Sequence, residues 1–364
     1  MMTTNKIRIE GKIFSAEDIL AAQHDVFFAQ SPFHQQLLLF LREWFSPEET
    51  ISLQTSGSTG VPKQITVRKE QMVQSALMTS DFFRLRENEK ALLCLPLDYI
   101  AGKMMVVRAI CAGLDLFPVA PSGHPLAETN TSFDFAAMVP LQVYNAIQSP
   151  GEKQRLSQIK RVIIGGGAVD PQLEEVLKEL PNEIYATYGM TETVSHIALR
   201  RINGEDASDY YTPLPGVDLK LTEKQTLVIR APHVADETVV TNDIAEIRPD
   251  SAFRILGRKD NVINTGGIKV QAEEVEKILR PSMKGKFAIT AVPHPRLGEA
   301  IVLLIEPINN PDTLKREIEK LLPRYQQPLH ILVVKAVPQT GSGKTDRAAT
   351  KKMAMKIVPS PDSM

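Results

Sequence analysis

From Ile51 onward the chain alternates short apolar runs, rich in residues that favour strands, with segments of helical period, and this alternation constrains the fold most. Strand, helix and strand in succession make crossover connections, so a mostly parallel sheet with helices on its faces is predicted. The predicted strands are Ile51 to Leu53, Ala91 to Leu95, Leu116 to Val119, Ala136 to Val139, Arg161 to Ile164 and Glu183 to Thr187. One helix is signalled in detail: Asp170 at its N-cap, Pro171 at the first helical position, then Leu173, Val176, Leu177 and Leu180 at helical spacing. After about Pro213 the strands become short and alternating, as at Asp218 to Leu221 and Thr226 to Ile229, which predicts an antiparallel subdomain. A second α+β unit is expected past Gly257, with a helix at Glu273 to Leu279, strands at Phe287 to Val292 and Ala300 to Ile305, and a helix from Asp312 to Leu322 stopped by Pro323. The expected fold class is α/β: a large N-terminal α/β domain (1–257) carrying an antiparallel β subdomain, and a small α+β C-terminal domain (258–364).

Charge narrows the partners. With 42 Lys+Arg against 43 Asp+Glu, no bulk field draws the chain to nucleic acid or to an anionic membrane. Cys94 and Cys111 lie in apolar surroundings without metal-ligand or disulfide-framework spacing, so they read as buried free thiols in a reducing compartment. The start MMTTNKIRIEGK lacks an apolar export core, and the most apolar stretch, Lys103 to Ala120, is interrupted by Arg108 and Asp115. A cytoplasmic protein without a membrane span is expected. Nothing in the sequence argues for an oligomer.

The stretch LQTSGSTGVPKQITV, Leu53 to Val67, follows a predicted strand. Small and hydroxylated residues from Thr55 to Gly60 let backbone N–H groups approach phosphate oxygens, and Lys63 adds a mobile cation. The same composition also suits a plain hydrophilic turn. Two other glycine-rich segments fail as nucleotide fingerprints. In VIIGGGAVD the third glycine of a dinucleotide motif would fall on Asp170, and in GSGKT the first glycine of a Walker loop would fall on Pro338. The segment ATYGMTETVSH begins at the end of a predicted strand, where open α/β sheets place ligands. There Tyr188 offers a flat face, Gly189 a tight turn, Thr191 a hydroxyl and Glu192 a carboxylate suited to Mg²⁺; a helix entry capped by Thr191 is the plainer alternative. His196 reads as a packed or surface histidine, with no second base near it in sequence.

Taken together and in order, TSGSTGVPK, YGMTE, TNDIAEI, GRKDNVINTGG and TGSGKTD resemble the signature set of the adenylate-forming superfamily of acyl-CoA synthetases, adenylation domains and luciferases. The resemblance spans Thr55 to Asp346 and implies two steps: a carboxylate attacks the α-phosphate of Mg-ATP, releasing pyrophosphate, and a thiol, that of coenzyme A in the ligases, then displaces AMP. Two anions must meet in the first step, so cations and oriented donors are needed where charge accumulates. By the resemblance, Thr55, Ser56, Gly57, Ser58, Thr59, Gly60 and Lys63 would hold the β- and γ-phosphates, while Thr191 and the metal-binding Glu192 would manage Mg²⁺ and the α-phosphate. Tyr188 and Gly189, with Gly165, Gly166 and Gly167, would border the adenine, and Asp243 and Arg258 would grip the ribose. Lys344 would bridge the attacking carboxylate and the α-phosphate, Asp260 would be the hinge on which a mobile C-terminal lid turns, and Gly266 and Gly267 would line the pantetheine tunnel of CoA.

LPLDYIAGKMMVVRAICAG, with AAMVPLQVYNAI and VIIGGGAVD, is most similar to the o-succinylbenzoate–CoA ligase branch of menaquinone biosynthesis. That branch acts on an aryl dicarboxylate, so a cation beyond those serving ATP is wanted; Gly102, Lys103 and Arg108 are the candidates, while long basic side chains covering apolar surface are the plainer reading. Other aryl acids, a carrier-protein thiol, or a nucleotide-binding protein without turnover are the alternatives. The sequence departs from the family pattern at several points: the region before Thr55 is short, Tyr99 stands where many relatives carry histidine, Asn242 replaces the glycine usual before the ribose aspartate, and VQAEEVE lacks the proline common after the Gly-Gly turn.

Overall fold

The computed structural model describes residues 5–22, 25–54, 64–283, 285–307, 311–339 and 345–358. Its largest sheet has nine strands. Six run parallel, in the spatial order Glu183–Gly189, Arg161–Ile164, Phe135–Met138, Lys90–Leu93, Asp115–Pro118 and Lys6–Ile9. Antiparallel strands finish its edges: His196–Arg201 and Thr212–Pro213 on one side, Lys12–Ser15 on the other. Side chains alternate across a strand, so Leu92, Ala136, Val162, Ile164 and Ile184 enter one core while Ala91, Leu93, Phe135, Ala137 and Ile163 enter the other. Burial on both faces is why Lys90–Leu93, Phe135–Met138 and Arg161–Ile164 read as nearly continuous apolar runs. The helix Pro171–Lys178 forms as expected, with the Asp170 carboxylate accepting from the Gln172 amide at 2.9 Å and Leu173 and Leu177 buried.

Two placements differ from the sequence reading. Ile51 to Leu53 does form a strand, Thr50–Gln54, but it pairs antiparallel with Gln64–Arg68 in a separate two-stranded ribbon, not in the parallel sheet. Conversely, Lys6–Ile9 joins that sheet beside Asp115–Pro118, although half of its four residues are basic and leave no apolar run to see.

The antiparallel subdomain is a four-stranded sheet of Asp218–Leu221, Thr226–Arg230, Val239–Ile247 and Phe253–Arg258. Beyond it, Ile268–Gln271, Val262–Thr265, Gly298–Ile305 and Phe287–His294 form the α+β unit's sheet, with His330–Val333 parallel to Gly298–Ile305. Helices Ala272–Leu279 and Pro311–Leu321 cover the face bearing Ile289 and Leu303, and Arg347–Ile357 covers the face bearing Ala288 and Val302. The apolar cores of the large and small regions share no residue: those of the first end at Phe253, and those of the second begin at Ile263. Among the described residues, no helix is long and apolar enough to cross a membrane. Cys94 is buried and Cys111 half-buried, and burial pushes both thiols up to about 12.

Candidate active site

Strands Arg161–Ile164 and Glu183–Gly189 run side by side with Ile164 opposite Ala186, so the chain leaves both at the same sheet edge. This brings Gly165, Gly166 and Gly167 next to Tyr188, at the carboxyl ends where open α/β sheets hold ligands. Close packing explains two of the glycines. A Cβ at Gly165 would lie 2.6 Å from Thr187 Oγ1, and one at Gly189 would lie 2.2 Å from the carbonyl oxygen of Ser195.

After Gly189 the chain makes a short 3₁₀ turn, Thr191–Thr193, and then reverses at Val194. The Ser195 amide donates to the Thr193 carbonyl at 2.6 Å, and Val194 has φ 63° and ψ −55°. This is a γ-turn of the strained kind, which a β-branched residue rarely adopts. Thr193 holds it: fully buried, its hydroxyl accepts from the Met190 amide at 3.2 Å and offers its proton to the carbonyls of Ser195 and Met190 at 2.9 and 3.1 Å. Met190, not Thr191, takes the cap position. Glu192 is exposed and carries no ion pair among the described residues, which leaves its carboxylate free for a hard cation. No cluster of three or more acidic, histidine or cysteine side chains forms a metal cage among the described residues. One carboxylate with phosphate oxygens is how Mg²⁺ is commonly held, so the donor set fits that ion.

Asp243 and Arg258 are register partners on adjacent antiparallel strands. Arg258 Nη1 donates to Asp243 Oδ1 at 2.9 Å, and the Tyr188 hydroxyl donates to Oδ2 at 2.6 Å. Burial, and then the neighbouring carboxylate, push the Tyr188 phenol well above its ordinary range, so it stays protonated as a donor. The Tyr188 ring packs edge-on against Phe253, with centroids 5.2 Å apart. Asp260 lies in the exposed turn Lys259–Asn261 just beyond. Gly266 and Gly267, with φ of 57° and 81°, form the two-residue turn between Val262–Thr265 and Ile268–Gln271. Such a turn needs positive φ at both positions, which accounts for the glycine pair by itself.

Gly102, Lys103 and Arg108 all lie on the helix Ile100–Ala112, but they serve different surroundings. A Cβ at Gly102 would come within 2.2 Å of the Pro96 carbonyl oxygen, so this glycine allows close packing. Lys103 Nζ donates to Glu43 at 3.1 Å and to the Ser52 carbonyl at 3.2 Å, over the ring of Phe40. It is thus tied to the strand that leads into 55–63, not left free to meet a substrate. Five positions on, about 140° around the helix, Arg108 is 2% exposed. Its Nη2 donates to Ser195 Oγ at 3.0 Å, its Nη1 approaches the Met105 sulfur at 3.7 Å, and its buried Nε has no partner. No carboxylate pairs with it among the described residues. Burial lowers its guanidinium to about 10, which still leaves it a cation. His196 is buried beside it, with Nε2 at 3.1 Å from Thr79 Oγ1. Burial, and then the Arg108 charge, hold His196 well below its ordinary pKa, so it is neutral.

Thr55, Ser56, Gly57, Ser58, Thr59, Gly60, Lys63 and Lys344 lie outside the described residues. Thr193, Val194 and Ser195 escaped the sequence reading. The only signal for them was their place between YGMTE and a buried histidine.

The profile of the AMP-binding enzyme family matches residues 8–242, and the chain belongs to that family. The 2-succinylbenzoate–CoA ligase of Escherichia coli K12 is 26% identical over 313 residues, which cover 82% of this chain and 67% of that protein. The probable 2-succinylbenzoate–CoA ligase of Mycobacterium tuberculosis H37Rv is 26% identical over 349 residues, 87% of this chain and 88% of that one. Among solved structures, an acyl-CoA synthetase (AMP-forming)/AMP-acid ligase II-like protein of Dyadobacter fermentans is 36% identical, with a TM-score of 0.62 and coverage of 88% and 94%. The family read from the five ordered motifs, and the α/β class, are borne out.

Proposed function

We propose that the chain is an ATP-dependent acid–CoA ligase that adenylates o-succinylbenzoate and passes the acyl group to CoA, a cytoplasmic step of menaquinone biosynthesis. The choice of acid rests on Arg108. A guanidinium stripped of water costs several kcal/mol unless an anion meets it, and among the described residues Arg108 meets Ser195, a methionine sulfur, a neutral histidine and the protonated thiol of Cys111, none of them an anion. A dicarboxylate resolves this: one carboxylate is activated, and the other is left for Arg108. Benzoate or a fatty acid would leave the cation unmet. The names carried by the curated relatives agree with this acid.

In the first step a carboxylate oxygen bonds to the α-phosphorus as the bond to pyrophosphate breaks; in the second the CoA sulfur bonds to the acyl carbon and AMP leaves. Thr55 to Gly60 and Lys63 would hold the outer phosphates. Glu192, with Thr191, would hold Mg²⁺, which supplies charge neutralisation between phosphates when bound. Tyr188 and the Gly165–Gly167 turn border the base, Asp243 and Arg258 take the ribose, and Lys344 would bridge the attacking carboxylate and the α-phosphate, the role the family resemblance implies. Asp260 is the pivot, and the Gly266–Gly267 turn offers bare backbone to the pantetheine arm.

AMP release measured with CoA and o-succinylbenzoate, benzoate or a medium-chain fatty acid, in parallel, tests the proposal. The dicarboxylate should win by roughly a hundredfold in kcat/KM, the scale for a site whose buried charge is otherwise unpaired. Equal turnover of benzoate would remove the acid assignment, and absence of AMP with every acid would remove the ligase reading.

A further inference from the structure

The chain crosses from the large cores to the small ones once, between Phe253 and Ile263, through the exposed turn Lys259–Asn261. Among the described residues, few side-chain hydrogen bonds and ion pairs bridge the two regions away from the crossing. Gln271 Nε2 donates to the Arg258 carbonyl at 2.9 Å, Gln172 Nε2 donates to the Arg280 carbonyl at 3.1 Å, and Arg280 pairs with Asp170 at 2.7 Å. Units joined this way move relative to one another by default. At the crossing, however, the Asp260 carboxylate is held from two directions. Arg258 Nη2 donates to Oδ2 at 3.2 Å, and Asn242 Nδ2 donates to the same oxygen at 3.1 Å. Arg258 spends its other terminal nitrogen, Nη1, on Asp243, and Asn242 precedes Asp243 on the strand. The pivot is thereby fastened to the ribose-gripping pair twice, by Arg258 itself and by Asn242, whose side chain has no other partner among the described residues.

Resting on the ligase reading above, we propose that Asn242 is a positioning residue: its amide anchors the Asp260 carboxylate and sets how readily the small unit leaves the orientation seen here. A glycine at this place has no amide to give, so the departure from the family pattern changes the pivot and not merely the backbone. A bound ribose that draws on Asp243 and Arg258 would leave Asn242 as the remaining hold on Asp260.

The test compares Asn242→Gly, Asn242→Asp and the swap Asn242→Asp/Asp260→Asn. The first removes the amide, the second sets two carboxylates against each other, and the swap restores an amide–carboxylate hydrogen bond with donor and acceptor exchanged. The ratio of pyrophosphate exchange to thioester formation from supplied acyl-adenylate should move roughly two- to tenfold in both single variants, in the same direction. It should return toward wild type in the swap. A readout that needs no turnover is hydrogen exchange at 259–262, where the Val262 amide now donates to the Lys259 carbonyl. Exchange should quicken in both single variants and slow again in the swap. Unchanged ratio and exchange in folded Asn242→Asp, an equal fall in both half-reactions, or a swap no better than the single variant would overturn the proposal. Absence of AMP from the wild type with altered exchange in the variants would sink the ligase reading and leave the anchoring role standing.

Discussion

Asp243 and Arg258 face each other across paired strands, and the guanidinium reaches the carboxylate at 2.9 Å while Tyr188 occupies the second oxygen at 2.6 Å. In the ribose-binding role proposed above, both residues would be oriented before the sugar arrives, which would lower the ordering cost of binding it. Asp243→Asn removes the charge and exchanges one acceptor oxygen for a donor, so either Arg258 loses its acceptor or Tyr188 must turn from donating to accepting. A hydrogen bond to a charged group is worth about 1.5–3 kcal/mol. The KM for ATP in pyrophosphate exchange should therefore rise roughly ten- to a hundredfold; an unaltered KM would detach this pair from the nucleotide.

Arg108 sets function against stability. Exchanging a whole buried ion pair for apolar side chains of similar volume is often neutral or stabilising by about 1–4 kcal/mol, and removing Arg108 strands no carboxylate among the described residues. Arg108→Met should hold or raise the unfolding temperature while kcat/KM for the dicarboxylate drops by about two orders of magnitude. A steep loss of thermal stability would instead make Arg108 a structural residue.

His196 predicts a pH dependence whose sign follows from its burial. Its folded pKa lies below the ordinary 6.5, so above that value both states are neutral and the full stability is present. As pH falls through 6.5, the unfolded chain takes up a proton that the folded chain refuses, and stability is lost until the folded pKa is reached. The stability gap between wild type and His196→Gln should shift against the wild type from about pH 8 to about pH 5, with a slope of up to ~1.4 kcal/mol per pH unit. Chemical unfolding at several pH values measures this, and parallel curves for the two proteins would count against a neutral buried imidazole.

Lys103 ties the helix Ile100–Ala112 to the Ser52 carbonyl and to Glu43. Lys103→Met should cost about 1–3 kcal/mol of stability by leaving these groups unsatisfied, while the ranking of the three acids stays as in wild type. A changed ranking would return Lys103 to the acid pocket.

Much of this was legible in residue order. The run Arg161 to Ile164 marks a strand because Val162, Ile163 and Ile164 are buried on both faces, and Glu183 to Thr187 marks one because Ile184 and Ala186 alternate with less buried neighbours. Asp170 and Pro171 mark a helix start because capping is a local interaction. Lys6–Ile9 was not legible, since a short alternating strand resembles a polar tail until a partner is supplied. Nor was the strand Thr50–Gln54 assignable to its own ribbon, since the run that forms a strand does not name the strand it pairs with.

Sequence by itself determined the family, the α/β class and the kinds of group at the site, because turns, caps, periodicity and chemical type are properties of neighbours along the chain. Tertiary structure decided which of two helix cations is spoken for, which is buried without a carboxylate among the described residues, and which amide reaches Asp260. Those are matters of burial and distance between segments remote in sequence, and they exist only once the chain has packed.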